Sequence, residues 1–155
     1  AIPVQEPLDA AGKYFKKLMK NRSERIELEI EPMEAKVIGD VNQLRFLLEN
    51  LIDEALTVRE DGVIRLQARK DNEYIRFLFT DTRREKSVEE LNQLFYPNLA
   101  RMTSGEKGEL RGTEYLVCKQ IIRDHDEFAG RRGCRINAEP AEGGGFTVYF
   151  TIPRR

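Results

Sequence analysis

The chain has 155 residues, 40% apolar and 34% charged, enough to bury one respectable core and within the usual size of a single domain. With 26 basic and 27 acidic side chains the formal net charge is -1 and the pI about 6.0, so no global field draws the chain to nucleic acid or anionic lipid. Its apolar runs are too short to span a bilayer and no cationic stretch leads into an apolar one at the start, so this stretch is expected to be neither secreted nor inserted by a signal of its own.

In chain order, Pro7 to Met19 places Ala10, Ala11, Tyr14, Phe15, Leu18 and Met19 on one side, with a proline suited to a first turn, and predicts an amphipathic helix. Ile26, Leu28 and Ile30 alternate with charged residues and Ala35 to Ile38 follow, which reads as two short strands or one interrupted strand. Asp40 is placed to N-cap the next helix. There Leu44, Leu47, Leu48, Leu51, Ile52 and Ala55 recur at helical spacing and define a buried face, while Asn50 and Glu54 form a polar row along its edge. Such a row can floor a pocket.

After Gly62, Ile64, Leu66 and Ala68, then Ile75, Phe77 and Phe79, show the period of two strands joined by a turn at Asp71 and Asn72. Ser87 with Glu90 three residues on forms a capping-box pattern for a short helix through Leu91, Leu94 and Phe95, which Pro97 ends. Residues 97–112 lack periodicity and are expected to be a mobile loop rather than a strand. Tyr115, Leu116, Lys119, Ile121 and Ile122 predict a helix ending before the charged cluster around His125. Arg135 to Ala138 and Phe146 to Ile152 are the last two strands, with one sheet face buried and the other facing water. Cys118 and Cys134 fall on that helix and the first of these strands, without the spacing of a metal knuckle, and read as reduced, buried thiols of a cytosolic protein. Helices interleaved with mostly hairpin-connected strands imply an α+β two-layer sandwich, its helices on one face of a mixed, mostly antiparallel sheet. Residues 1–24 are expected to lead into a domain of residues 25–155, the whole forming one globular unit. The chain opens on Ala1 rather than methionine and is read as a piece of a longer protein.

The stretch from Val37 to Leu56, VIGDVNQLRFLLENLIDEAL, resembles the N box of the GHKL ATPases, the family of the ATP-binding domain of sensor histidine kinases. The order of elements over roughly residues 25–153 and the closing RINAEPAEGGGFTVYFTIP are similar to that fold. The resemblance implies a nucleotide pocket between the N-box helix, a first glycine box D-x-G-x-G after a strand, and a second glycine box G-x-G-x-G entering a helix, with a lid between the boxes. Asn50 matches the first N-box asparagine, whereas the magnesium-binding asparagine position is Glu54, an oxygen donor that a hard cation also accepts. Asp81 matches the aspartate that accepts a hydrogen bond from the adenine amino group, but Thr82-Arg83-Arg84-Glu85 fills both glycine positions with long charged side chains. The glycines let the backbone approach the nucleotide at positive φ, which costs a residue with a Cβ roughly 1–2 kcal/mol. Of the second box only Gly112 survives, its flanking glycine positions being Leu110 and Glu114. Glu114 puts a carboxylate where a helix N-terminus would face phosphate, and at an effective dielectric near 20 a like-charge pair about 4 Å apart costs on the order of 4 kcal/mol. In the lid, Arg101, Lys107 and Arg111 could meet phosphates.

No phosphoacceptor motif of the H-E type surrounds the single histidine, His125, and no Ser-His-Asp, Cys-His or zinc arrangement can be assembled. The expectation is a degenerate domain of an intracellular signalling protein, with weak or no ATP binding, no catalytic residue and no cofactor. It is expected to work in the cytoplasm by binding other domains of its own longer chain or a signalling protein, and by homodimerising only through segments outside it. Arg83, Arg84 and Arg101 are the candidate partner surface; Asn50, Glu54, Asp81, Gly112, Lys107 and Arg111 are the relict nucleotide residues. One alternative is an active kinase domain binding Mg-ATP, with Asn50 and Glu54 on the metal, as in a two-component system. Another is a purely structural module.

Overall fold

The computed structural model describes residues 1–96, 103–104, 110–111, 114–130 and 133–155. Its elements run β1 (Ile2–Pro3), α1 (Gln5–Met19), β2 (Ile26–Ile30), β3 (Lys36–Val37), α2 (Val41–Ala55), β4 (Gly62–Asp71), β5 (Tyr74–Asp81), α3 (Val88–Gln93), β6 (Thr103–Ser104), β7 (Leu110–Arg111), α4 (Glu114–Ala129), β8 (Ile136–Pro140) and β9 (Phe146–Pro153). The main sheet has the order β2-β4-β5-β9-β8, parallel only between β2 and β4. One core unites the layers. Phe77 of β5 stacks on its register partner Phe150 of β9 at 4.8 Å, and Leu44, Leu47, Leu48, Leu51 and Ile52 of α2 are all at most 2% exposed. Such burial is the dominant favourable term holding helices to sheet.

Local signals hold where they close within a few residues. The Asp40 carboxylate accepts from the Asn42 and Gln43 amides, and both bonds of the Ser87/Glu90 capping box are made. The β4–β5 hairpin turns through Asn72, whose φ of 55° lies in the left-handed region that asparagine tolerates.

The two short strands after α1 form, with β3 pairing antiparallel with β1 outside the main sheet, and Val4, Leu8, Ala11 and Phe15 of the first 24 residues lie in the common core. Three expectations are corrected. Within the stretch expected to hold no strand, β6 and β7 pair antiparallel. Helix α4 does not end before His125 but runs on to Ala129, because His125 continues the buried row of Cys118, Ile121 and Ile122 at helical spacing. Its ring Nδ1 is 2.9 Å from the Ile121 carbonyl and its Nε2 accepts from the Asp40 amide at 3.1 Å, tying α4 to the start of α2. Finally, the outward row of β9 is not open to water throughout. Thr147 and Thr151 are each 6% exposed, Thr147 sharing a 2.7 Å hydrogen bond with Thr80.

Helix α1 is also clasped to α2 by a polar contact, the Tyr14 hydroxyl donating to Asp53 at 2.6 Å. Loss of hydration, with the Glu114 charge nearby, pushes the Asp53 carboxyl above its ordinary 3.8, against the opposing pull of the Tyr14 bond. A raised folded value means that the fold prefers protonated Asp53. Its contribution is therefore full below pH 3.8 and lost as pH rises through the folded value. An asparagine side chain at this position would keep an acceptor for Tyr14 without titrating. Urea midpoints measured from about pH 3.5 to 7 are expected to show Asp53→Asn level with wild type at the acid end and increasingly ahead of it above.

Candidate pocket at the N-box helix

The floor is the polar edge of α2. Asn50 is 8% exposed and its amide donates to the Phe46 carbonyl of the preceding turn at 2.7 Å, while Glu54 is half-buried one turn on. Asp81, the last residue of β5, is 3% exposed, as befits the end of a central strand flanked by β4 and β9.

Arg83 closes the site. Its side chain is 1% exposed, and its Nε and Nη2 each lie 2.9 Å from one oxygen of the Asp81 carboxylate. The same guanidinium reaches across to the C-terminal end of α2, where Nη2 donates to the Ala55 carbonyl at 2.6 Å and Nη1 to those of Val58 and Glu60 at 3.0 Å each. Helix ends leave carbonyls of this kind without intrahelical partners and carry partial negative charge, so a cation there is favoured twice. The Arg83 amide also donates to Asp81 Oδ1, which tightens the turn that folds the side chain back. Two glycines make room. A Cβ on Gly62, at φ +145°, would sit 2.6 Å from Arg83 Cγ, and one on Gly145, at φ +84°, would sit 2.1 Å from the Asp81 carbonyl oxygen.

Glu114 opens α4 with one carboxylate oxygen buried and without a hydrogen-bond partner among the described residues. Its charge helps push up the Asp53 carboxyl and the buried Cys118 thiol, the latter raised mainly by burial. Among the described residues no group of three or more His, Cys, Asp or Glu is arranged to hold a metal ion.

Residues 39–155 match the sequence pattern described as histidine kinase-, DNA gyrase B-, and HSP90-like ATPase. The chain belongs to this ATPase family. Sequence comparison with curated proteins finds no match. Among solved structures, the nucleotide-free catalytic domain of the histidine kinase ThkA superposes with a TM-score of 0.74 at 20% identity, covering 99% of this chain and 93% of that one. The mycobacterial sensor histidine kinase MprB gives 0.73 at 19% identity, over 99% of this chain and 96% of that one. ThkA in complex with the response regulator TrrA gives 0.71 at 18% identity, over 99% of this chain and 41% of that one. These likenesses show the fold, a mixed sheet carrying its helices.

Placed in that fold, Asn50, Glu54 and Asp81 lie where the resemblance assigns them, on the N-box helix and at the end of the first-box strand. Arg83 is corrected: it does not belong to an exposed contact surface, since its guanidinium is committed to Asp81 and to α2. Arg84 does face solvent. Arg101, Lys107 and Gly112 lie outside the described residues, and of Arg111 only the backbone, in β7, is described. The Asp81 carboxylate accepts from Arg83 three times, twice at Oδ1 and once at Oδ2. Sequence reasoning missed Gly62 and the Ala55, Val58 and Glu60 carbonyls altogether. Backbone acceptors have no signature in side-chain identity, although a glycine at the head of a strand was a visible hint.

No helix among the described residues is long and apolar enough to cross a membrane.

Proposed function

We propose that this member of the histidine kinase-like ATPase family is degenerate: a cytoplasmic signalling and protein-interaction module with weak or no ATP binding and no kinase activity of its own. The observation that carries the reading is the bidentate Arg83–Asp81 pair, both side chains at most 4% exposed, at the place where the resemblance puts adenine. Glu114 supports it from the phosphate end, since a carboxylate at the start of α4 repels the anion that a bare helix N-terminus attracts. ThkA has been solved with a response regulator, which makes a signalling protein or a neighbouring domain of a longer chain the proposed partner here. Arg84, exposed beside the closed pocket, is the described residue proposed to face it.

Calorimetric titration of the domain with ATP and ADP, with and without magnesium, is expected to give no binding heat, and neither nucleotide is expected to raise its melting temperature. Magnesium-dependent micromolar binding would overturn the proposal.

A further inference from the structure

We infer that the ring of acceptors beside the first-box turn is a guanidinium-binding site, filled in this chain by its own Arg83. The inference rests on the degenerate reading and names the chemistry that the remodelled pocket selects. The guanidinium of an arginine offers five N–H donors in a rigid planar fork and no acceptor, and free guanidinium adds a sixth N–H where the stem would attach. Here each donor is met. Nε–H goes to Asp81 Oδ1, the two protons of Nη2 to Asp81 Oδ2 and the Ala55 carbonyl, and those of Nη1 to the Val58 and Glu60 carbonyls.

The atoms that meet the guanidinium are all acceptors, with one formal negative charge among them and, at Ala55, the negative end of α2. That composition discriminates. Adenine brings donors on its amino group but also ring nitrogens that accept, and these would face carbonyl oxygens. Ammonium has four donors, arranged tetrahedrally about one small nitrogen, and cannot span the five acceptors. Urea matches the planar shape without the charge that offsets Asp81. The approach is shaped as well, since Gly62 leaves room for the arginine stem where a Cβ would collide with Cγ.

The test uses Arg83→Ala, in which the acceptors are left without their cation. Guanidinium chloride at low millimolar concentration, far below denaturing levels, is expected to raise the variant's melting temperature by about 2 °C or more and to saturate. Ammonium chloride and urea at equal concentration are expected to leave it unchanged, as is adenosine, and none of these is expected to raise that of wild type. Equal responses to guanidinium and ammonium, or stabilisation by adenosine in place of guanidinium, would sink the inference while leaving the absence of ATP binding in wild type intact. ATP binding by wild type would instead sink the reading on which it rests. A measurement on wild type covers the case of a variant that does not fold: proton exchange at Arg83 Nε–H, followed by nitrogen-resolved NMR. Protection on the order of 100-fold beyond exposed arginines is expected, and exchange at their rate would overturn the inference.

Discussion

Replacing Arg83 by alanine is expected to lower the unfolding free energy by about 3–5 kcal/mol, the range for breaking a buried ion pair from one side. The loss has two parts. Asp81 keeps a carboxylate that is 3% exposed and now lacks the cation, and the carbonyls of Ala55, Val58 and Glu60 lose donors at the end of α2. The double variant Asp81→Leu/Arg83→Met removes both charges and refills much of the volume, so it is expected to recover a large part of that loss. Urea denaturation followed by circular dichroism gives all three values, and an unchanged slope would confirm that the native state rather than its compactness has altered. A cost below about 1 kcal/mol for Arg83→Ala would mean that the pair behaves as an exposed one.

Gly145→Ala is expected to cost about 3 kcal/mol or more, and Gly143→Ala only about 1–2 kcal/mol, although both glycines hold positive φ in the same connection. The backbone strain is common to the two, at φ +84° and +86°. What differs is space. A Cβ at Gly143 meets nothing within 4 Å, whereas one at Gly145 falls 2.1 Å from the Asp81 carbonyl oxygen and 2.7 Å from Thr82 Cα. Those are backbone atoms of the turn that carries Arg83, so relief requires the β8–β9 hairpin to move off the pocket. The two thermal midpoints decide it, and equal losses would show that the close approach is relaxed cheaply. In the Gly145 variant the Arg83 Nε–H signal should also lose protection, which a defect confined to the hairpin would not produce.

The pocket is half legible in the sequence. Asp81 can be found because its position follows from a strand period ending in Phe79 and Thr80, and Asn50 and Glu54 because four residues make nearly one helical turn. Arg83 is recognisable as filling a glycine position, but its sequence context assigns it to the surface. The end of a long side chain can reach any point within several ångströms of its Cα, and its three carbonyl acceptors lie 23 to 28 residues earlier in the chain. His125 shows the same limit in another form. Its charged neighbours Asp124 and Asp126 suggest a helix end, yet its helical spacing from Cys118, Ile121 and Ile122 is there to be read.

The sequence alone determined most of the longer elements, the two-layer α+β arrangement and the family, because capping, hydrophobic period and turn chemistry act over a few residues and are written in side-chain identity. Only the tertiary structure decided which strands share a sheet and where the Arg83 guanidinium goes. Both depend on backbone groups brought together from distant parts of the chain, and a backbone carbonyl is the same atom whatever residue carries it.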